Sequence, residues 1–401
     1  MHAHSPQQPK KPIIIIGAGV GGLTAGIALR RVGLEPLVFE RSSNVSDHGS
    51  GLTLWPNALK ALGYLGLAES ISAISLRTEA IAMLSWKGRT LFRLGADNTA
   101  AESTDLQGVA LLRSELLEVL RDQLGSDIIQ FDKRCIAFQQ NEYGITVSFE
   151  DGSQAEGDLL IGSDGIRSSI RAQLIGSNKL KYAGYTVWRG VATFQLEENI
   201  GSTSIGCGAQ FGIFPMTRNR VYWFACTNAR ENGADLPIGC RQELLQKFQG
   251  WHKPIPAIIE ATDEASIIRT DIYDHDPLRR WSYGRVTLLG DAAHPATPTL
   301  GQGACQAIED AVVLALCIRK YELSTALSRY DSQRNPRTRT ITLQSRQYGQ
   351  MGRWTNPLAC WFRDRLIASV PERIRIRELQ KTFRFDPPDF IYKFASRNDS
   401  L

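Results

Sequence analysis

The first apolar run of the chain opens a pattern typical of a parallel β-α-β unit. Residues 13–16 are four consecutive isoleucines, as expected for a strand that is buried on both faces. Residues 23–33 place apolar side chains at helical spacing, and residues 35–40 form a second apolar run that ends at Glu40. We therefore predict that the chain begins with a parallel sheet covered by helices.

A second strand-and-helix pattern returns near the end of the chain. Residues 284–290 predict another buried strand, and residues 303–321 predict a long helix. Between these two patterns, residues 128–161 and 181–229 are strand-rich and interrupted by turns. The predicted fold class is therefore α/β, with one parallel-sheet domain assembled from separated segments and a mostly antiparallel sheet domain inserted into it.

Shorter elements follow from local signals. Ser114 is the expected N-cap of an amphipathic helix over residues 114–124. Pro336, Pro357 and Pro371 are expected to break the helices of the tail, because proline cannot continue a helix without losing a hydrogen bond. The remaining predictions are a turn at Pro56 followed by a helix to about residue 70, strands within 78–95, and a helix at 241–251.

The composition is that of an ordinary globular protein. The chain has 401 residues, 43% of them hydrophobic and 22% charged, which indicates two domains or one large domain with an insertion. No run of about 18 uncharged apolar residues occurs, so we expect no membrane-spanning helix. The run at 13–16 is too short for a signal peptide, and we expect the protein in the cytoplasm.

Charge and cysteine content narrow the function classes further. The net charge is +5, and the segment from Arg319 to Arg397 holds 17 Lys or Arg against 7 Asp or Glu. These charges are spread along helix-like segments without any nucleic-acid-binding signature, so we expect solvated helix faces and no nucleic-acid partner. The seven cysteines are scattered without a CxxC pair, which argues against a disulfide framework and against a metal site.

The most specific local motif is a glycine loop between the first strand and the first helix. Gly17, Gly19 and Gly22 form a GxGxxG pattern, and Glu40 follows 18 residues after the last glycine. The glycines permit a tight turn, close approach of a pyrophosphate and close helix–strand packing. The free N–H groups at the helix N-terminus would hold the pyrophosphate, and Glu40 would accept hydrogen bonds from a ribose.

Two further motifs stand at predicted strand ends. Asp164-Gly165 ends one strand, although Asp-Gly is by itself common in turns. Gly290-Asp291 ends another, and a loop rich in proline and glycine leads from it to a helix near Gly303. An aspartate at the carboxyl end of a parallel strand faces the ligand crevice, and the following helix N-terminus carries unpaired N–H donors.

Together these motifs, in this order and spacing, resemble those of the class A flavoprotein aromatic hydroxylases, which are single-component FAD-dependent monooxygenases. The resemblance extends from Ile13 to about Tyr348. Within the family, residues 184–190 and 211–225 look most like the urate-, salicylate- and zeaxanthin-oxidising branches.

The resemblance implies a role for each matching position. The glycine loop matches the ADP-binding loop, and Glu40 matches the acid that binds the ribose. Asp164-Gly165 matches a motif associated with both FAD and NAD(P)H, and Asp291 matches the residue that binds the ribityl chain. The other matches are Arg41 and Arg113 beside the FAD, and Pro295 with Gly301 and Gly303 in the loop beside the isoalloxazine ring.

The motifs and the resemblance also predict domain boundaries. The prediction assigns residues 1–77, 103–180 and 273–345 to a Rossmann-like FAD-binding domain, residues 78–102 (a hairpin) and 181–272 to the substrate-binding β-sheet domain, and residues 346–401 to a helical C-terminal region.

The resemblance implies an activity. In such enzymes NADH or NADPH reduces FAD, O₂ reacts with the reduced flavin, and a flavin C(4a)-hydroperoxide delivers one oxygen atom to an aromatic or polyene-like small molecule. Two alternatives remain at this point. The first is an FAD-dependent reductase or dehydrogenase of the same fold, and the second is a non-catalytic binding protein on this scaffold.

Candidate substrate-pocket residues come from the predicted sheet domain. Because alternate residues of a strand point to opposite faces, we expect at most half of them to line one pocket. Arg189 is expected to bind a carboxylate or a phenolate, and Phe214-Pro215 to face the flavin. The full set is Trp188, Arg189, Phe211, Ile213, Phe214, Pro215, Tyr222 and Trp223.

Two features allow more than one interpretation. His294 follows the Gly290-Asp291 motif; we expect it to pack or hydrogen-bond near the flavin or the path of the nicotinamide, with a role as a base as the alternative. Trp354, Trp361 and Phe362 form an apolar group in the tail. We expect that group to pack in the core or in a homodimer, with contact to a membrane surface as the alternative.

Overall fold

The structure is a computed structural model, and it describes residues 10–43, 50–95, 106–176, 179–235 and 237–387. Its helices are α1 (Val20–Arg31), α2 (Pro56–Tyr64), α3 (Ala68–Ile74), α4 (Arg113–Leu124), α5 (Ser169–Ile175), α6 (Cys240–Lys247), α7 (Ile255–Glu260), α8 (Gly303–Lys320), α9 (Leu323–Gly352), α10 (Pro357–Ser369) and α11 (Glu372–Phe383).

The strands are assigned to four sheets. In chain order they are β1 (Ile13–Ile16), β2 (Pro36–Phe39), β3 (Gly51–Leu54), β4 (Leu76–Arg77), β5 (Ala80–Ser85), β6 (Thr90–Gly95), β7 (Val109–Leu112), β8 (Ile129–Gln130), β9 (Cys135–Asn141), β10 (Gly144–Phe149), β11 (Gln154–Gly157), β12 (Leu159–Gly162), β13 (Lys181–Thr193), β14 (Ile200–Ile205), β15 (Ala209–Met216), β16 (Arg220–Asn228), β17 (Ile268–Asp274) and β18 (Val286–Leu288).

A parallel sheet forms the centre of the first domain. Its order is β18-β12-β1-β2-β8, and every neighbouring pair is parallel. The four isoleucines of β1 are buried in a core that also contains α1 and α8. These two helices approach closely, since a Cβ added at Gly21 would lie 3.2 Å from the Cβ of Ala307. The predicted α/β class is confirmed.

A larger sheet carries the second domain. Its order is β17-β13-β16-β15-β14-β5-β6, and all neighbours are antiparallel except the β14–β5 pair. The β5–β6 hairpin therefore belongs to a sheet whose other strands, β13 to β17, come about a hundred residues or more later in the chain. Two small sheets, β11-β10-β9 and β3-β7-β4, complete the strands.

Two of the predicted domain boundaries fall inside elements of the structure, because residue 272 lies in β17 and residue 345 lies in α9. Strand β13 begins at Lys181, whereas β17 continues to Asp274, two residues past the predicted boundary at 272. Parts of the predicted segments fall outside the described residues, namely 1–9, 44–49, 96–105, 177–178, 236 and 388–401.

Two local predictions are wrong. Leu112, and not Ser114, is the N-cap of α4, and its side chain makes no capping hydrogen bond. Pro336 does not break the tail, because α9 runs through it. The proline is exposed, and the buried neighbours Arg334 and Thr338 hold the helix on either side of the missing hydrogen bond. Pro357 and Pro371 do mark the beginnings of α10 and α11.

A buried ionic network joins α8 to α9. Arg334 donates from Nε to Asp310 Oδ1 at 2.6 Å, and it is also paired with Glu309. Asp310 Oδ2 accepts from the backbone N–H of Gly290 at 3.1 Å and lies 2.6 Å from His294 Nε2. Burial alone would raise the pKa of Asp310, but His294 and Arg334 outweigh it and lower that pKa to about 2.

The network predicts a large loss of stability when its cation is removed. Replacing Arg334 with methionine leaves two buried carboxylates short of a partner, so Arg334→Met should lower the free energy of unfolding by about 3–5 kcal/mol. The measurement is denaturant-induced unfolding. The control is Arg339→Met, an exposed position on the same helix, which should change the free energy by less than about 0.5 kcal/mol. Equal effects of the two substitutions would contradict the assigned role of Arg334.

Candidate active site

The three sequence motifs meet at one edge of the parallel sheet. Strand β1 ends at Ile16 before the glycine loop, β12 ends at Gly162 before Asp164, and β18 ends at Leu288 before Gly290-Asp291. Because β18, β12 and β1 are adjacent and parallel, their carboxyl ends lie side by side. All three motifs line one cavity of about 1900 Å³.

The glycine loop has the geometry of a phosphate cradle. Gly17 has a φ of +106°, and a Cβ there would lie 2.6 Å from the carbonyl oxygen of Ser163. A Cβ on Gly22 would lie 1.9 Å from the Gly17 oxygen, so this glycine allows the helix to pack on the loop. Gly19 lines the cavity and would meet nothing within 4 Å, which leaves room for a ligand at the N-terminus of α1.

Glu40 supports the glycine loop and also lines the cavity. Its Oε2 accepts the backbone N–H of Ala18 at 2.8 Å, and its Oε1 accepts that of Ser42 at 3.0 Å. Each carboxylate oxygen can accept a further hydrogen bond, so the side chain can also hold a ribose. Arg41 and Lys133 line the cavity beside it.

One carboxylate oxygen of Asp164 accepts hydrogen bonds from the protein, and the other accepts none. Oδ2 accepts from the backbone N–H of Ser169 at 2.7 Å and of Ile170 at 3.3 Å. Oδ1 is buried without a hydrogen-bond partner, and both Asp164 and Gly165 line the cavity. A buried carboxylate oxygen without a partner is costly, so this atom fits a donor from a bound ligand.

Arg171 joins the Asp164 loop to the Asp291 turn. Its Nη1 donates to the carbonyl oxygens of Ala292 at 2.9 Å and Asp291 at 3.3 Å, and its Nη2 donates to that of Ile166. Nη2 also lies 2.7 Å from Nε2 of His275, and burial, with this positive neighbour, lowers the pKa of that imidazole. The sequence shows Arg171 after the motif, but nothing in it indicates His275 as a partner.

The loop after β18 shapes the far end of the cavity. Asp291 is open to the cavity but surrounded by protein, and that burial raises the pKa of its carboxyl against the lowering effect of His294 and Arg113. Gly303 begins α8, and a Cβ there would lie 3.9 Å from Asp291 Oδ1. Pro295 also lines the cavity. The N-terminus of α8 therefore faces the same space as Asp291.

Trp55 lies against Gly301 at the same end of the cavity as Asp291. It has a φ of +60°, and an added Cβ would lie 2.8 Å from Trp55 Nε1. That indole nitrogen is buried without a hydrogen-bond partner, and Trp55 lines the cavity. A ligand with an acceptor atom in this region would therefore satisfy it.

His294 faces away from the cavity, which corrects its alternative assignment as a base. It is buried, its Nε2 lies 2.6 Å from Asp310, and its ring lies 5.1 Å from that of Trp281. The side chain is committed to the ionic network between α8 and α9.

The larger sheet divides the predicted pocket residues between its two faces. Arg189, Phe214 and Tyr222 line the cavity. The five others do not, and four of them (Trp188, Phe211, Ile213 and Trp223) pack on the opposite face against α6 and α7, while Pro215 alternates away from Phe214. Their assignment to the pocket is therefore wrong, because the register of the sheet turns them toward another core.

Some cavity residues were not predicted at all. The aromatic rings of Phe224 and Phe92 line the cavity, and so does α11 through Ile374, Leu379 and Phe383. The ring of Phe383 stacks on that of Trp55 with centroids 4.7 Å apart. The alternation of β16 offers a signal for Phe224, whereas nothing local in the sequence indicates that α11 folds back over the cavity.

A group of hydroxyls marks the boundary between the cavity and α9. A Cβ added at Gly349 would lie 3.1 Å from Thr299 Oγ1, 3.8 Å from the Tyr185 hydroxyl and 3.9 Å from Thr297 Oγ1. Burial raises the pKa of Tyr185 above its ordinary value, so this phenol stays protonated and can donate a hydrogen bond.

The described residues offer neither a metal site nor a membrane-spanning helix. No group of three or more His, Cys, Asp or Glu is placed to hold a metal ion in that part of the chain. No helix there combines the length and apolar character needed to cross a bilayer. The cavity, its glycine cradle and its unsatisfied polar atoms fit an elongated dinucleotide.

Comparison with known proteins agrees with this geometry. A family model described as an FAD binding domain matches residues 10–345. Among curated proteins, the chain is 40% identical over 379 residues to an aurachin C monooxygenase/isomerase of Stigmatella aurantiaca, covering 94% of this chain and 98% of that protein. It is 35% identical over 344 residues to an FAD-dependent urate hydroxylase of Klebsiella pneumoniae, covering 83% and 88%.

A solved structure shows the same fold. HpxO of Klebsiella pneumoniae, complexed with FAD and uric acid, superposes with a TM-score of 0.87 at 29% identity, covering 95% of this chain and 98% of that one. The family model spans most of the chain, and the aurachin C monooxygenase/isomerase matches it nearly end to end. The chain therefore belongs to the FAD-binding-domain family of class A flavoprotein monooxygenases.

Proposed function

We propose that this monooxygenase uses NADH or NADPH and O₂ to insert one oxygen atom into a lipophilic aromatic or polyene-like small molecule. One observation carries the proposal: a single cavity runs from the glycine cradle and Asp291 to an apolar chamber. The chamber is lined by Ile81, Met83, Phe92, Phe214, Tyr222, Phe224, Ile374, Leu379 and Phe383. The second oxygen atom of O₂ is reduced to water by two electrons from NAD(P)H and two protons.

Each end of the cavity has a proposed role toward FAD. The glycine loop (Gly17, Gly19, Gly22) and the N-terminus of α1 would hold the pyrophosphate, and Glu40 with Arg41 would hold the adenosine ribose. The remaining assignments are Asp164 with Gly165 and Asp291 along the chain, Arg113 beside it, and Pro295, Gly301 and Gly303 at the ring. When bound, FAD supplies the electron transfer and the activation of O₂.

The protein supplies charge stabilisation and a dry chamber. The N–H groups that begin α8 point at the ring end of the cavity, where they favour negative charge. The apolar walls exclude water from the reacting groups. The guanidinium of Arg189 opposes the effect of burial on the pKa of the Tyr222 phenol, and the two side chains offer donors to a carbonyl or phenolate of the substrate.

The proposal extends to domain organisation and location. We assign residues 1–77, 103–180 and 273–345 to FAD binding, and 78–102 with 181–272 mainly to the substrate, to which the C-terminal helices add a wall. We also propose the cytoplasm as the site of action. The cysteines are all free thiols, which fits a reducing compartment.

The overall function is tested by turnover. The purified protein should be yellow, and lipophilic phenols, quinolones or carotenoids should stimulate its oxidation of NADH or NADPH together with O₂ uptake. Heavy-isotope O₂ should label the product, and peroxide should be measured to detect uncoupled oxidation. Anaerobic turnover without label in the product would instead identify a reductase. A bound flavin that NAD(P)H never reduces would identify a binding protein.

The cradle is tested by filling it. Gly19→Val should fold normally, because a Cβ there meets nothing within 4 Å, but the side chain would occupy the space expected for the pyrophosphate. We expect FAD affinity to fall by about 100-fold, a loss of about 2.8 kcal/mol. Titration of the apoprotein with FAD measures the effect. The control is Gly63→Val, at an equally open position on α2 outside the cavity, which should leave the FAD affinity unchanged. Equal effects of the two substitutions would contradict the proposed pyrophosphate site at the glycine loop.

The role of Arg189 is tested on two kinds of substrate. Arg189→Leu should lower kcat/KM by about 10- to 100-fold for substrates with a carbonyl or phenolate group, since a hydrogen bond from a charged donor is lost. Substrates without such a group should be affected less, and FAD affinity should stay the same. Arg230→Leu, an exposed arginine outside the cavity, is the control. An equal loss on both kinds of substrate would contradict the assignment.

A further inference from the structure

Helix α10 exposes large apolar side chains along one face. Leu358, Trp361, Phe362 and Leu366 follow helical spacing and are 78%, 57%, 61% and 50% exposed. We call these four residues the α10 stripe. Monomeric proteins rarely expose a contiguous apolar patch of this kind without a function for it.

The opposite face of α10 is fixed to the protein, so the exposure of the stripe is a feature of the fold. Cys360 and Arg363 are buried on that face. Arg363 Nη2 donates to the carbonyl oxygen of Gly206 at 3.1 Å, and its Nη1 donates to that of Met351 at 3.3 Å. The helix therefore cannot turn the stripe inward without breaking these buried hydrogen bonds.

The cavity reaches the surface next to the stripe. Ile367 and Val370 line the cavity and lie one and four residues after Leu366 in the chain. Ile374, at the beginning of α11, also lines the cavity and is 54% exposed. We call Ile367, Val370 and Ile374 the rim of the chamber; it lies at the end of α10 and the beginning of α11, next to the stripe in the chain.

The segment that carries the stripe and the rim has more positive than negative side chains. Residues 357–383 contain six Lys or Arg and three Asp or Glu. Arg365, Arg373 and Arg377 are exposed, and Arg365 lies over the ring of Trp361, 5.1 Å from its centroid. Aromatic and aliphatic side chains bordered by arginines suit the interface of an anionic bilayer, where the rings enter the headgroup region and the guanidinium groups meet lipid phosphates.

A second copy of this chain fits the surface less well. A two-fold contact would bring the same patch of both copies together, so the exposed arginines of both copies would enter one interface. Such a contact would also cover the rim of the chamber.

We propose that the α10 stripe docks the protein on an anionic lipid bilayer, with the rim of the chamber turned toward the lipid. The inference rests on the proposed function, because a lipophilic substrate would then pass from the bilayer into the chamber without crossing water.

The test is sedimentation of the holoenzyme with vesicles. The wild-type protein should bind vesicles of equal parts phosphatidylcholine and phosphatidylglycerol, should bind phosphatidylcholine alone more weakly, and should lose affinity as salt is raised. The double variant Trp361→Gln/Phe362→Gln should bind at least about tenfold more weakly, because two apolar side chains no longer enter the lipid. Ile136→Gln/Tyr143→Gln removes two apolar side chains that are similarly exposed elsewhere, and it should bind like the wild type.

Three results would overturn the proposal. The wild-type protein could stay in the supernatant, or the stripe variant could bind as well as the wild type. The third result is a dimer in light scattering that the stripe variant converts to a monomer, which would identify a second copy as the occupant.

Turnover separates this inference from the proposed function. With a water-soluble substrate in vesicle-free buffer, the wild type and the stripe variant should have equal kcat and KM, since the stripe does not line the cavity. Vesicle binding without turnover on any substrate would support docking through the α10 stripe and contradict the proposed function. Turnover without vesicle binding would do the opposite.

Discussion

The buried carboxylate of Asp310 holds together the parts of the protein that meet at the Asp291 end of the cavity. It accepts hydrogen bonds from the backbone of Gly290 and from Arg334, and it lies against His294. A buried charge must stay paired, so helices α8 and α9 and the turn after β18 are held in one arrangement. Asp291, the next residue after Gly290, takes its position from that arrangement.

The same network reaches the wall of the apolar chamber. Arg337 donates to Glu309 and also to the carbonyl oxygen of Thr382 at 3.0 Å, near the end of α11. The neighbouring Phe383 stacks on Trp55, which lies against the Gly301 turn. The chamber wall and the turn at Gly301 are therefore fixed by connected contacts, and a change in one should affect the other.

The larger sheet does two tasks with its two faces. One face carries Trp188, Phe211 and Trp223 into a core closed by α6 and α7, where Trp223 Nε1 donates to Thr262 Oγ1 at 2.8 Å. The other face presents Arg189 and Tyr222 to the cavity. Packing on the first face gives the sheet rigidity, and that rigidity positions the side chains of the second face.

The sequence by itself determined the α/β class and the loop motifs at the cofactor end, because the requirements there are local. A tight glycine turn, an acid at a strand end and a helix N-terminus are each set by a few neighbouring residues, such as Gly17 and Asp291. Only the tertiary structure decided which aromatic residues line the cavity, that His294 belongs to an ionic network, and that α11 contributes to the cavity wall. These features depend on contacts between residues far apart in the chain: the register of the sheet, the pairing of buried charges and the packing of a distant helix. Local sequence patterns do not predict such contacts.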